Sequence, residues 1–246
     1  MRVFTPAEVW KTWDNGDHAE MKQEVLPSLF EEGTNPRALL ITGENGGGKS
    51  LAVSILRQVS ADLAEREGGK LEVMDIGMNR RIASGIERSF IFGHESTEST
   101  GNVSIRVALR GVANSRDRDH PHWLILDEPD IGVGDGYHEA IGRYLAGFAE
   151  SLPPACMGFA VVTHSRVIAR EIIAAGASSL RVGRDLRPVG EWLAIGDLPK
   201  SVDDLLALQA EVRNTKSQVP ACLNCCGPKS VSRHRRAECG ADATRW

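Results

Sequence analysis

Eight consecutive residues, Gly43, Glu44, Asn45, Gly46, Gly47, Gly48, Lys49 and Ser50, fill the pattern G-x-x-x-x-G-K-[ST] completely. Glycines at this density let successive backbone N–H groups curl around an anion. A helix opening directly after them adds the positive end of its dipole. In that geometry Lys49 bridges the β- and γ-phosphates of ATP, and the Ser50 hydroxyl is a ligand for Mg²⁺. A chance glycine-rich turn would not also bring a strand before it, a helix after it and the lysine. A second group lies in LILDEPD, Leu124 to Asp130. Four apolar residues, Trp123 to Leu126, deliver Asp127 and Glu128 to the carboxyl edge of a sheet, where open α/β folds bind nucleotides. Asp127 suits the holding of Mg²⁺, directly or through water, and Glu128 the polarisation of an attacking water as general base. Acids after an apolar strand are common, so it is the pairing with the glycine loop that makes them informative.

The elements that must position these groups are legible as periodicity. RALLITG (37–43), KLEVMDIG (70–77), FIFG (90–93), HWLILDE (122–128) and GFAVVTH (158–164) read as strands, and SSLRVG and EWLAIG as late strands. Between them, KSLAVSILRQVSADLAERE, MNRRIASGIERS, VSIRVALRGVA, YHEAIGRYLAGFAESL and SRVIAREIIAAG carry apolar residues at helical spacing. Residues 1–36 read as one or two helices leading into the core, and SVDDLLALQAEVR as a helix capped by its serine. Strands alternating with helices predict an α/β fold with a mainly parallel sheet and helices on both faces, that of a P-loop NTPase.

Over roughly residues 37–183 the chain resembles the ABC ATPase superfamily. The D-E-P after four apolar residues is that family's extended Walker B motif, and GFAVVTHS matches the next core strand ending in its switch histidine. The resemblance implies that His164 contacts the γ-phosphate and helps hold the attacking water, and that DIGVGDG (130–136) runs along a dimer interface. The family signature would be STESTGN, Ser96 to Asn102, at the start of a helix. Its form is divergent and is similar to the serine/threonine-rich signature of the MutS mismatch-repair ATPases. Ser99 and Gly101 would then meet the γ-phosphate of a nucleotide held by a second subunit, in an ATP-dependent homodimer. The bland alternative is a capped surface loop. Two features depart from the family. No glutamine occurs between Gln58 and Gln209, leaving His94 or Glu95 as substitutes for the Q-loop residue. Ser50 and Asp127 are only 77 residues apart, too few for a transporter-type helical subdomain. For an adenine-stacking aromatic the N-terminal segment offers Phe4, Trp10 and Trp13, each of which suits the core equally.

The 246-residue chain, 41% hydrophobic and 25% charged, has ordinary globular usage and no run of about 18 apolar residues that could span a bilayer. Its start lacks the apolar stretch of a secretory signal, so a cytoplasmic protein without membrane insertion is expected. Charge is uneven. From Val212 onward seven bases face two acids, while the rest has 22 bases against 31 acids. A basic tail on an acidic body suits phosphates, nucleic acid or an acidic partner, or is simply solvated. Four of the five cysteines lie there. Cys222, Cys225, His234 and Cys239 supply the chemistry of a tetrahedral Zn²⁺ site, with irregular spacing and Cys226 in competition. The alternative is a flexible cysteine-bearing terminus. The expected organisation is an N-terminal helical segment (1–36), an ABC-type core (37–200), a helix and linker (201–219) and the Cys/His tail (220–246). The function expected is ATP hydrolysis in a nucleic-acid-associated or regulatory process. A transporter's nucleotide-binding subunit and a non-hydrolysing ATP-dependent switch are the rivals.

Overall fold

A computed structural model describes residues 4–15, 23–77 and 99–207. Strands β1 (Ser28–Glu31), β2 (Asn35–Gly43), β3 (Glu72–Gly77), β4 (His122–Asp127), β5 (Cys156–Val162) and β6 (Ala177–Val182) form one sheet in the order β1-β6-β2-β5-β4-β3. Every pairing is parallel except that of β1 with β6. The helices are α1 (Pro6–Asp14), α2 (Lys49–Arg66), α3 (Thr100–Asp117), α4 (His138–Glu150), α5 (Arg166–Ala174) and α6 (Val189–Ile195). Residues 202–207 are helical, and Ser201 and Asp204 exchange capping hydrogen bonds at their start.

Two cores follow from the period-2 alternation of the central strands. Leu39, Ile41, Trp123, Ile125 and Val162 pack on one face with Trp10 and Trp13 of α1 and Leu51, Ile55 and Leu56 of α2. Leu40, Leu124, Leu126, Phe159 and Val161 pack on the other with α3, α4 and α5. A strand buried on both faces must be apolar throughout, which is why these strands read as continuous hydrophobic runs. Among the described residues no helix is long and apolar enough to cross a membrane.

Three expectations change. Ser28–Glu31, inside a segment read as helical, is a strand, because its four residues pair antiparallel with Ser179–Val182 and close the edge of the sheet. EWLAIG is not a strand but part of α6, which folds back so that Trp192 is 1% exposed and packs on Arg181. Trp10 and Trp13 are 1% and 4% exposed and belong to the core, so neither ring is free to stack on a base. Phe4 joins them: its carbonyl accepts from Trp123 Nε1 at 3.2 Å, near the start of β4 and at the far end of the sheet from Gly43. The FIFG strand, the MNRRIASGIERS helix, His94, Glu95, and all four tail residues Cys222, Cys225, His234 and Cys239 lie outside the described residues.

Candidate functional site

The glycine loop leaves β2 and enters α2. Gly43, Gly46 and Gly48 hold φ of 147°, 74° and 98°, values that L side chains rarely adopt. At Gly43 a Cβ would lie 2.0 Å from the Val182 carbonyl oxygen, so the close approach of β6 also demands glycine. Gly48 caps α2 with no side-chain hydrogen bond, which leaves the first N–H groups of the helix available to an anion. Asn45, Gly46 and Ser50 are exposed on this loop. Lys49 is buried: its Nζ donates to the carbonyls of Gly43 and Glu44 at 3.3 and 3.0 Å, and burial lowers its pKa against the opposing pull of Glu128 and Asp127. The loop and lysine mark a P-loop NTPase fold.

Strands β4 and β5 bring the other groups to the same edge, with β5 lying between β4 and the P-loop strand. Asp127 ends β4 beside Gly77 of β3, where any side chain would collide with the Asp127 Cβ at 2.7 Å. Burial, followed by the charges of Glu128 and Asp75, pushes the Asp127 carboxyl up to about 6. Glu128 is the sole described non-glycine residue at positive φ, 52°. Backbone there costs energy unless the surroundings impose it. Here a ladder-like bond from Glu128 N to Val162 O at 2.8 Å fixes the turn, and the carboxylate reaches to 3.5 Å from His164 Nε2. His164 holds Glu128 below its ordinary pKa, so the carboxylate is ionised at neutral pH. Lys49, Asp127, Glu128 and His164 are therefore drawn to one edge by three parallel strands, although they span 115 residues of sequence (164 − 49).

A loop after β4 joins this edge to α3. Asp130 Oδ1 accepts from Thr163 Oγ1 at 3.0 Å, and Ser104 Oγ donates to the Ile131 carbonyl at 2.9 Å. Gly101 sits against the Gly132 backbone so closely that a Cβ would lie 2.3 Å from its oxygen. Ser99 caps α3, accepting from Asn102 N at 3.4 Å, and is exposed where Gly101 is buried. Ser99 is thus exposed at the start of α3, and Gly101 is buried under the loop that follows β4. Reading by motif missed Asp75, which lies on β3 two residues before its end and level with Ile125 of β4, and Thr163 and Ser104, whose hydroxyls tie down the loop after β4.

No family model matches the chain, and no curated protein matches it. Among solved structures it is similar to the crystal structure of Cdc6p from Pyrobaculum aerophilum, at 16% identity and a TM-score of 0.31, over 73% of this chain and 43% of that one. A likeness this loose, to less than half of that protein, carries no functional argument.

Among the described residues no group of three or more His, Cys, Asp or Glu side chains converges as a metal site. The donors near the P-loop are instead a hydroxyl, Ser50, and a carboxylate, Asp127, both hard oxygen ligands of the kind Mg²⁺ takes when phosphates supply the rest. Asp127 is crowded by two further carboxylates, so a divalent cation would relieve the repulsion that raises its pKa.

Proposed function

We propose that this chain binds ATP with Mg²⁺ and hydrolyses it as an ABC-type ATPase, at a site completed by a second copy of the chain. The observation that carries the reading is the convergence of Lys49, Glu128 and His164 at the ends of β2, β4 and β5. The P-loop N–H groups and Lys49 would hold the β- and γ-phosphates, Lys49 turning from the Gly43 and Glu44 carbonyls to do so. Mg²⁺, held by Ser50 and Asp127, would neutralise phosphate charge. Glu128, ionised and faced by His164, would take a proton from a water attacking the γ-phosphorus in line. The bond from the γ-phosphorus to the β–γ bridging oxygen breaks and ADP departs. His164 would orient that water and the γ-phosphate. A role beside nucleic acid or in regulation, away from membrane transport, rests on the resemblance to the MutS-type signature.

The dimer rests on the resemblance of Ser96 to Asn102 to the family signature, supported by the exposed Ser99 at the N-terminus of α3, next to the loop that follows β4. There Ser99 and Gly101 would cap the γ-phosphate of the partner's nucleotide. Ser99→Arg and Lys49→Ala proteins should each be inactive. Mixed, they form dimers in which one site carries both lesions and the other neither, and ATP turnover should return. A mixture that stays inactive although heterodimers form would remove the composite site.

A further inference from the structure

The segment after β6 presses on the P-loop. Arg184 N donates to Glu44 Oε2 at 3.3 Å, Lys200 forms an ion pair with the same carboxylate, and Gly183 approaches Gly47 so closely that a Cβ there would lie 3.2 Å from the Gly47 Cα. This segment is braced from behind. Asp185, held down to about 2 chiefly by Arg187, also accepts from buried Arg181 at 3.0 Å. Arg181 stacks on Trp192 at 4.9 Å, and Trp192 Nε1 donates to Asp197 at 2.8 Å. Between the braced segment and the P-loop lies an open cavity of about 400 Å³, lined among others by Glu44, Asn45, His164, Arg184, Leu198 and Leu205. Leu198 and Leu205 are 52% and 64% exposed. They give the cavity an apolar wall beside the phosphate loop. The cavity is continuous with the P-loop and falls within the range of small-molecule sites. Trp10 and Trp13, by contrast, are buried in the core, and Phe4 lies by the start of β4.

We infer that the segment 184–207 forms the nucleobase site, in which Leu198 and Leu205 clamp the base of the nucleotide whose phosphates the P-loop holds; this rests on the P-loop reading above. The base lies flat against the two leucines, and Glu44, tied to Lys200 and Arg184, keeps that wall at a set distance from the phosphates. A nucleoside triphosphate therefore binds more tightly than its bare phosphate chain.

Calorimetry with Mg²⁺ and three probes, ATP, GTP and inorganic tripolyphosphate, tests this on the full chain. Wild type should bind at least one nucleotide well above tripolyphosphate. Leu198→Ala/Leu205→Ala should weaken that nucleotide by about tenfold or more and leave tripolyphosphate unchanged. Both leucines are exposed, so the melting temperature should hold. Lys49→Ala should weaken nucleotide and tripolyphosphate alike. Nucleotide affinity that ignores the leucines but responds to Lys49 overturns the base site and leaves the P-loop standing. Affinity that ignores Lys49 overturns both. Equal affinity of wild type for tripolyphosphate and both nucleotides also overturns the base site.

Discussion

At the start of β4, His122 is fully buried and both its ring nitrogens are engaged. The His120 carbonyl, 2.9 Å from Nδ1, can only accept, so Nδ1 carries the proton and Nε2 accepts from Ser115 Oγ at 2.7 Å. Burial lowers its pKa and keeps it neutral, and the neighbouring Cys156 thiol is likewise pushed up and donates to the Gly158 carbonyl at 3.4 Å. Five residues along the same strand, Asp127 is crowded by Glu128 and Asp75, and Glu128 sits in strained backbone. Both ends are polar and buried to a degree, yet one is satisfied within the chain and the other is not. A closed hydrogen-bond set stabilises the fold; an edge of unbalanced charge beside an uncapped helix N-terminus is prepared for a ligand.

Breaking the unbalanced end should have the largest effects. Lys49→Ala should abolish detectable ATP binding by calorimetry in Mg²⁺, because the β- and γ-phosphates lose their P-loop cation in a poorly solvated site. Unchanged affinity would sink the phosphate-loop assignment. Glu128→Gln should keep ATP affinity, lower kcat by about 10²-fold or more and accumulate an ATP-bound dimer, the scale of a lost general base. Full turnover in that variant would show that another group takes the proton.

The satisfied end should respond in stability alone. His122→Ala opens a cavity and removes one of the two partners of Ser115, at a cost of about 1–3 kcal/mol in chemical denaturation, with ATP affinity kept. A loss of ATP binding without a loss of stability would contradict the division between the two ends. The smallest effect concerns the exposed cluster just outside it, where Glu72 faces His120 at 2.7 Å and pairs with Arg118. Hydrogen bonding to His120 lowers Glu72 below its ordinary 4.5, so its contribution is present above that pH and fades as pH falls through the folded value. Hydrogen bonding to Glu72 raises His120 above its ordinary 6.5, so its contribution is complete below that pH and fades as pH rises through the folded value. The stability difference between wild type and Glu72→Gln should therefore be largest between pH 4.5 and 6.5 and shrink on both sides. A difference independent of pH would remove the pair as its cause.

The local pattern of residues determined much of this. Strands buried on two faces must be apolar runs, a loop that wraps an anion needs glycine and lysine at set spacing, and acids after such a strand must emerge at its carboxyl edge. So β2, β4, β5, the P-loop, Asp127 and Glu128 were all legible in the residues alone. Only tertiary structure decided the rest, because those features depend on partners distant in sequence. Ser28–Glu31 is a strand since Ser179–Val182 lies beside it, not through its own composition. EWLAIG forms helix because Trp192 must cover Arg181 and reach Asp197. Trp10 and Trp13 are core because α1 lies across β2, a packing that their spacing on one helix face allows but does not specify. Leu198 and Leu205 carry no motif, and only the ties of Glu44 to Arg184 and Lys200 bring their segment beside the P-loop. Periodicity reports which way a side chain faces on its own element; what it faces is set by the closure of the chain.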